Sequence, residues 1–212
     1  VKPMMNGESQ SPLVPVSKPL LIVLSGLSGV GKDTVLAGIR KSSLPLEISI
    51  SATTRPRRAS EKDGIDYHFV SPVRFQEMID TNQLLEWANV YGNLYGIPRE
   101  PVRRALEEGK DVIVKIDVQG ATTIKKIIPQ ALFIFLITPY IEELEERLRQ
   151  RRTESSADLE LRLKTATDEL RKLHMFDYVV VNHLGAVDRA VADIVAIIKA
   201  EKCRVKPREI TL

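Results

Sequence analysis

The sequence predicts an α/β fold, a mostly parallel sheet flanked by helices, and three observations carry that expectation. Four short apolar runs, LLIVLS (20–25), DVIVKID (111–117), LFIFLIT (132–138) and DYVVV (177–181), have the length and β-branched content of buried strands. Segments of helical spacing separate each run from the next, and such alternation lays strands parallel with helices on both faces. The stretch SGLSGVGKDT (25–34) lies between the first run and the first helical pattern. It fits the phosphate-binding loop G-x-x-x-x-G-K-[ST] at every position but the last, where Asp33 stands.

Residues 1–19 carry Pro3, Pro12, Pro15 and Pro19 among serines with no apolar period, which predicts a flexible arm. The first strand, the glycine loop and the helical pattern DTVLAGIRKS (33–42) follow as one unit. An irregular insert runs from about 50 to 100, rich in aromatic and turn residues and too long for a loop without a task. Helices are predicted over 73–86, 99–108, 141–151, 156–173 and 187–201; the second has Pro98 at its start and Gly109 as its stop.

The bulk properties bound the possibilities. A chain of 212 residues buries one good core, and 43% hydrophobic with 28% charged residues is ordinary for a soluble globular protein. A net charge of +3 gives no argument for nucleic acid. The runs LLIVL (20–24) and ALFIFLI (131–137) are too short to span a membrane, and no basic, apolar, small-residue signal pattern opens the chain. Cys203 has no second cysteine to pair with, which suits a reducing compartment. The expectation is a cytoplasmic protein without nucleic-acid or membrane partners; no protein partner is readable.

In a phosphate-binding loop, backbone N–H groups curl around phosphate oxygens and the next helix presents its positive end. Gly26, Gly29 and Gly31 permit the curl, with Leu27, Ser28 and Val30 between them. Lys32 reaches the outer phosphates, and Asp33 and Thr34 open the helix. The loop is not the dinucleotide G-x-G-x-x-G, and no N-K-x-D guanine motif of a GTPase occurs. A nucleotide-handling kinase leads.

The insert reads SATTRPRRASEKDGIDYHF from Ser51 to Phe69, followed by LLEWA (84–88) and YGNLYG (91–96). Together with IDVQG (116–120) and RLRQR (147–151), this closely resembles the guanylate kinase family over residues 19 to 202. The resemblance implies a P-loop kinase core with a GMP-binding insert and a helical lid. It implies the reaction of ATP with GMP, and with dGMP, to give ADP and a nucleoside diphosphate, with Mg²⁺, in purine nucleotide metabolism. It divides the chain into an arm (1–18), a core (19–49, 101–141 and 167–204), the insert (50–100), a lid (142–166) and a tail (205–212).

By the same resemblance Arg55, Arg58, Tyr67 and Tyr95 hold the GMP phosphate, and two guanidinium forks with two phenols suit a dianion. Ser51 and Glu86 fall on the positions that read guanine, whose N1–H and 2-amino group a carboxylate can accept together; Glu61 orients the arginines. Lys32, Arg151 and Arg162 match the clamp on the moving phosphoryl group, with Arg147 on the ATP side and Asn182 near adenine. Asp33 and Asp117 would hold the metal, directly or through water.

Three positions depart from the family pattern. Asp33 replaces a hydroxyl residue, Lys115 replaces an acidic one two places before Asp117, and Ile97 replaces a Ser or Thr that would help read guanine. Because strand residues two apart face the same way, Lys115 and Asp117 are expected beside Asp33, with the added positive charge balancing the added negative one. Two rival readings are a guanylate-kinase-like module that binds protein without catalysis, and a kinase for another nucleotide or a phosphorylated sugar. The intact loop lysine and glycines oppose the first, and the TTR segment with Glu86 opposes the second.

Overall fold

The computed structural model describes residues 17–42, 44–150 and 156–212. Strand β1 (Leu21–Gly26), helix α1 (Lys32–Ile39) and the short edge strand β2 (Leu46–Ile48) open the core. The insert follows as β3 (Ala52–Thr53), β4 (His68–Phe69), α2 (Pro72–Asp80), β5 (Leu84–Val90) and β6 (Asn93–Pro98). The chain returns through α3 (Arg99–Glu107), β7 (Asp111–Lys115), α4 (Val118–Ile127) and β8 (Leu132–Ile137). Helices α5 (Ile141–Gln150) and α6 (Ser156–Leu170), strand β9 (Tyr178–Val181) and helix α7 (Val187–Lys202) complete the described chain.

The core sheet has the order β2-β7-β1-β8-β9, and every neighbouring pair is parallel. Alternation along β1 sends Leu21 and Val23 to one face, where they meet Val102 and Ala105 of α3 and Ala121 and Ile124 of α4. Ile22 and Leu24 go to the other face, against Val35 and Ile39 of α1 and Ile194 and Ile198 of α7. Both faces are covered, so the strands are apolar throughout; each fully buried Leu, Ile or Val contributes about 1.5–3 kcal/mol. The second sheet, order β4-β3-β6-β5, belongs wholly to the insert, and Phe75 and Met78 of α2 pack on it with Ala52 and Leu84.

The structure corrects two expectations. The predicted helix 73–86 stops at Asp80, because Asn82 takes a left-handed φ of 53°, a stop that asparagine tolerates; Leu84 to Glu86 then run as strand. The sheet gains a fifth strand, β2, which has only three half-buried residues and therefore no periodic signal. The described chain ends contact the core. Lys202 Nζ donates to the Lys18 carbonyl at 2.7 Å, and Arg208 donates to Glu201 Oε2 at 2.8 Å and to the Ala131 carbonyl at 3.1 Å. Residues 1–16 lie outside the described chain.

Candidate active site

A cavity of about 490 Å³ opens beyond the C-terminal ends of β1 and β7, between the glycine loop, the insert sheet and α6. Its loop wall is made largely of backbone. Gly31 has φ 94°, and a Cβ there would lie 2.8 Å from Asn182 Nδ2, so only glycine fits. Lys32 Nζ folds back on its own loop, donating to the carbonyls of Gly26 at 2.7 Å and Leu27 at 3.2 Å. Burial lowers the pKa of this ammonium, against the pull of Glu169 and Asp33. From behind, the Val30 carbonyl accepts from Asn182 Nδ2 at 2.7 Å and from Arg147 Nη1 at 2.8 Å. Arg162 Nη1 donates to Ser28 Oγ at 2.9 Å, and its Cζ lies 5.2 Å from the centre of the Tyr91 ring.

The opposite wall is made of side chains. Arg55 donates through Nη2 to Glu61 Oε1 at 2.7 Å and through Nε to the Tyr95 hydroxyl at 3.2 Å. Glu61 Oε2 accepts from the Arg58 amide at 2.8 Å. Burial alone would raise the Glu61 carboxyl, but the Arg55 fork and the Arg58 amide outweigh it and hold the group below the usual carboxylate range. Deeper in, Glu86 on β5 is 5% exposed, and its Oε2 has no hydrogen-bond partner among the described residues. Burial first, and the charge of Asp117 second, push this carboxyl up to about 8. Gly120 makes the room for it, since a Cβ there would lie 2.7 Å from Glu86 Oε2. Ser51, nearly buried, lines the same cavity.

A guanylate kinase family model matches residues 18–201. The chain belongs to the guanylate kinase family. The guanylate kinase of Caldanaerobacter subterraneus subsp. tengcongensis is 48% identical over 186 residues, which are 88% of this chain and 89% of that one. Guanylate kinase 2, chloroplastic/mitochondrial, of Oryza sativa subsp. japonica is 40% identical over 96% of this chain and 72% of its own length. The crystal structure of guanylate kinase from Anaplasma phagocytophilum matches with a TM-score of 0.74 at 28% identity, covering 91% of this chain and 90% of that one.

Within this guanylate kinase fold, the residues named from sequence fall into groups. Ser28 to Asp33, Ser51, Glu86 and Asp117 lie on the cavity wall, as do Arg55, Arg58, Tyr67, Tyr95 and Arg162. Glu61, Arg147 and Asn182 stand behind it: the first braces Arg55, and the other two brace the loop through Val30. Gly26 and Leu27 anchor the loop through carbonyls bonded to Lys32, while Thr34 sits exposed in the first turn of α1. Arg151 lies outside the described residues. Ile97 is fully buried in the core beside Leu85 and Val102, so the departure at that position is a packing feature. The expected pair forms: Lys115 Nζ donates to Asp33 Oδ1 at 2.6 Å.

Among the described residues no three His, Cys, Asp or Glu side chains gather into a cation cage. Magnesium that arrives with nucleotide phosphates needs only one or two carboxylates and keeps its waters. Asp33, a hard oxygen donor with a side chain 75% exposed at the start of α1, fits that demand. Asp117 has one oxygen committed to the Gly120 amide at 2.8 Å, capping α4, and burial raises its carboxyl.

Sequence reasoning passed over several cavity residues. The pattern YGNLYG assigns Tyr91 no role, yet it and Gly92 both have positive φ in a two-residue hairpin turn, with Tyr91 beside Arg162. Gly120, behind the wall, gives Glu86 its room, a steric demand that the IDVQG pattern does not reveal. Glu169 and Lys172 come to the cavity from the end of α6, and nothing in their local sequence separates them from an ordinary solvated helix face.

Proposed function

We propose that the chain transfers the γ-phosphate of ATP to GMP, and to dGMP, giving ADP and the nucleoside diphosphate. One observation carries the reading: the buried Glu86 carboxyl, with Oε2 unpartnered among the described residues, and an arginine–phenol cluster, Arg55 with Tyr67 and Tyr95, share a cavity with an intact phosphate-binding loop. Loop amides and Lys32 would cradle the ATP phosphates, Arg55, Arg58, Tyr67 and Tyr95 the GMP phosphate, and Ser51 and Glu86 the guanine edge. Arg162, with Arg151, would neutralise charge on the phosphoryl group in flight, since such transfer asks for positioning and positive charge rather than covalent chemistry. Arg147 and Asn182 support the ATP side through the loop. Magnesium brought by ATP would be held by Asp33, with Asp117 acting through water, and would neutralise phosphate charge.

The unpartnered Glu86 oxygen explains base choice. Guanine offers N1–H and an amino group to it, whereas adenine leaves it buried and unpaired, which is costly. Among the described residues no helix is long and apolar enough to cross a membrane. We assign the chain to the cytoplasm and to purine nucleotide metabolism. A coupled assay of ADP formation over GMP, dGMP, AMP and UMP tests the reading: turnover with the first two only is expected. ADP formation independent of GMP, or equal turnover with AMP, overturns it.

A further inference from the structure

Lys115 ends β7 directly beside Leu24 of β1, so its Cα is fixed by the sheet register at the head of the cavity. Its side chain is 15% exposed and lies between the loop helix and the insert. On one side Nζ donates to Asp33 Oδ1 of the loop helix at 2.6 Å; on the other it donates to the Tyr67 hydroxyl of the insert at 2.9 Å. The same nitrogen is 4.3 Å from the Tyr67 ring centre, and the Arg55 guanidinium carbon is 5.6 Å from it, so two cations lie near one phenol ring.

The two ends of this bridge are unequal. The Asp33 side chain is three-quarters exposed, and an ion pair with so open a partner is worth little to stability. The Tyr67 end is shielded, and there the direction of the hydrogen bond matters. A phenol that accepts from an ammonium keeps its own O–H proton to donate. Among the described residues the Tyr67 hydroxyl donates to no acceptor, and Tyr67 lines the cavity beside Arg55 and Tyr95.

We infer that Lys115 is a positioning residue: it fixes the Tyr67 hydroxyl as a donor in the monophosphate pocket and ties that pocket, through Asp33, to the first turn of the phosphate-loop helix. The inference rests on the GMP reading above. Asp33 touches Lys115, and Lys115 touches Tyr67, so a change at the ATP side of the cleft reaches the GMP side through one side chain. Without Lys115 the Tyr67 hydroxyl is free to turn and loses its fixed polarity.

The test is calorimetric titration of GMP, without metal or ATP, into wild type, Lys115→Met, Tyr67→Phe and the double variant, each checked for a cooperative thermal melt. Either single change should weaken GMP about tenfold, the usual scale for a hydrogen bond to a charged group. The double variant should be no weaker than the worse single one, because Lys115 has nothing to hold once the hydroxyl is gone. Lys115→Arg should recover much of the loss, and Asp33→Asn should weaken GMP about threefold from across the cleft. Losses that multiply to about a hundredfold in the double variant would overturn the inference. So would a folded Lys115→Met that binds GMP as wild type does. If Lys115→Met does not fold, Lys115→Arg with and without Tyr67→Phe carries the same comparison, and the inference then fails if arginine changes affinity equally in both backgrounds. Wild type that binds no GMP sinks the proposed function itself, which is a different result.

Discussion

The loop wall of the cleft presents main-chain groups, and the insert wall presents side chains. On the loop wall, Gly31 at φ 94° and the carbonyls of Gly26, Leu27 and Val30 make the contacts, and Lys32 is stored against that same backbone. On the insert wall, Arg55, Glu61 and Tyr95 hold one another by side-chain bonds, and Glu86 Oε2 has no partner among the described residues. A backbone cradle tolerates any triphosphate, whereas a side-chain pocket can be specific for a base. The difference teaches where turnover and where selectivity should be lost on mutation.

The largest effect expected is at Lys32. Lys32→Met removes the ammonium seated in the loop, and kcat should fall by about 10³-fold or more, the scale for deleting a charge aimed at the moving phosphoryl group. GMP affinity measured without ATP should stay within about twofold, because the loss lies on the other wall. A parallel fall in GMP affinity would break the division between the walls.

Glu86 sharpens the same comparison from the selective side. Its carboxyl titrates near 8 in the fold against an ordinary 4.5, so the folded state holds a proton that the unfolded state has released. Its contribution to stability is therefore full below pH 4.5 and is lost as pH rises to about 8. Glu86→Gln should flatten that decline, melting several degrees higher than wild type at pH 8 and about equally at pH 4. If guanine donates to the ionised form, as proposed, wild-type GMP affinity should rise between pH 6 and 8 by several-fold per unit, and the Gln variant should lack that increment while losing about tenfold in discrimination against AMP. Calorimetry in buffers of different ionisation enthalpy counts the proton released. Identical pH slopes in the two proteins would remove Glu86 from base reading.

The core was legible because its strands are buried on both faces and read as unbroken apolar runs; the glycine loop was legible because backbone conformation demands those residues. The insert sheet was not, since β3 and β4 have two residues each and carry no period. Asn82 was the missed stop, and through it Glu86 was placed at the end of a helix when it lies on a strand. Lys115 and Asp33 could be paired in advance, since a strand end and a loop helix lie adjacent in any such core. Tyr67 as the third member could not, because it depends on how the insert folds back over the cleft. Arg55, Arg58 and Glu86 entered through family resemblance; local pattern alone gave them no role.

The smallest effect expected is at Tyr91, where stability and turnover should move in opposite directions. Tyr91 sits at φ 50° in the turn between β5 and β6, a left-handed conformation that costs a residue with a Cβ about 1 kcal/mol. Tyr91→Gly relieves that strain, although the unfolded chain also gains freedom, so the net stabilisation should be well under about 1 kcal/mol. The same change deletes the ring beside Arg162, whose cation–π contact is worth about 0.5–1 kcal/mol at so open a site. Arg162 would then be held to the loop through Ser28 with less restraint from the insert. Turnover should drop about two- to fourfold with GMP affinity little changed, while the melting temperature holds or rises slightly. A variant that loses stability and turnover together would mark Tyr91 as ordinary packing. One that keeps full turnover would show that Arg162 takes its position without help from the insert wall.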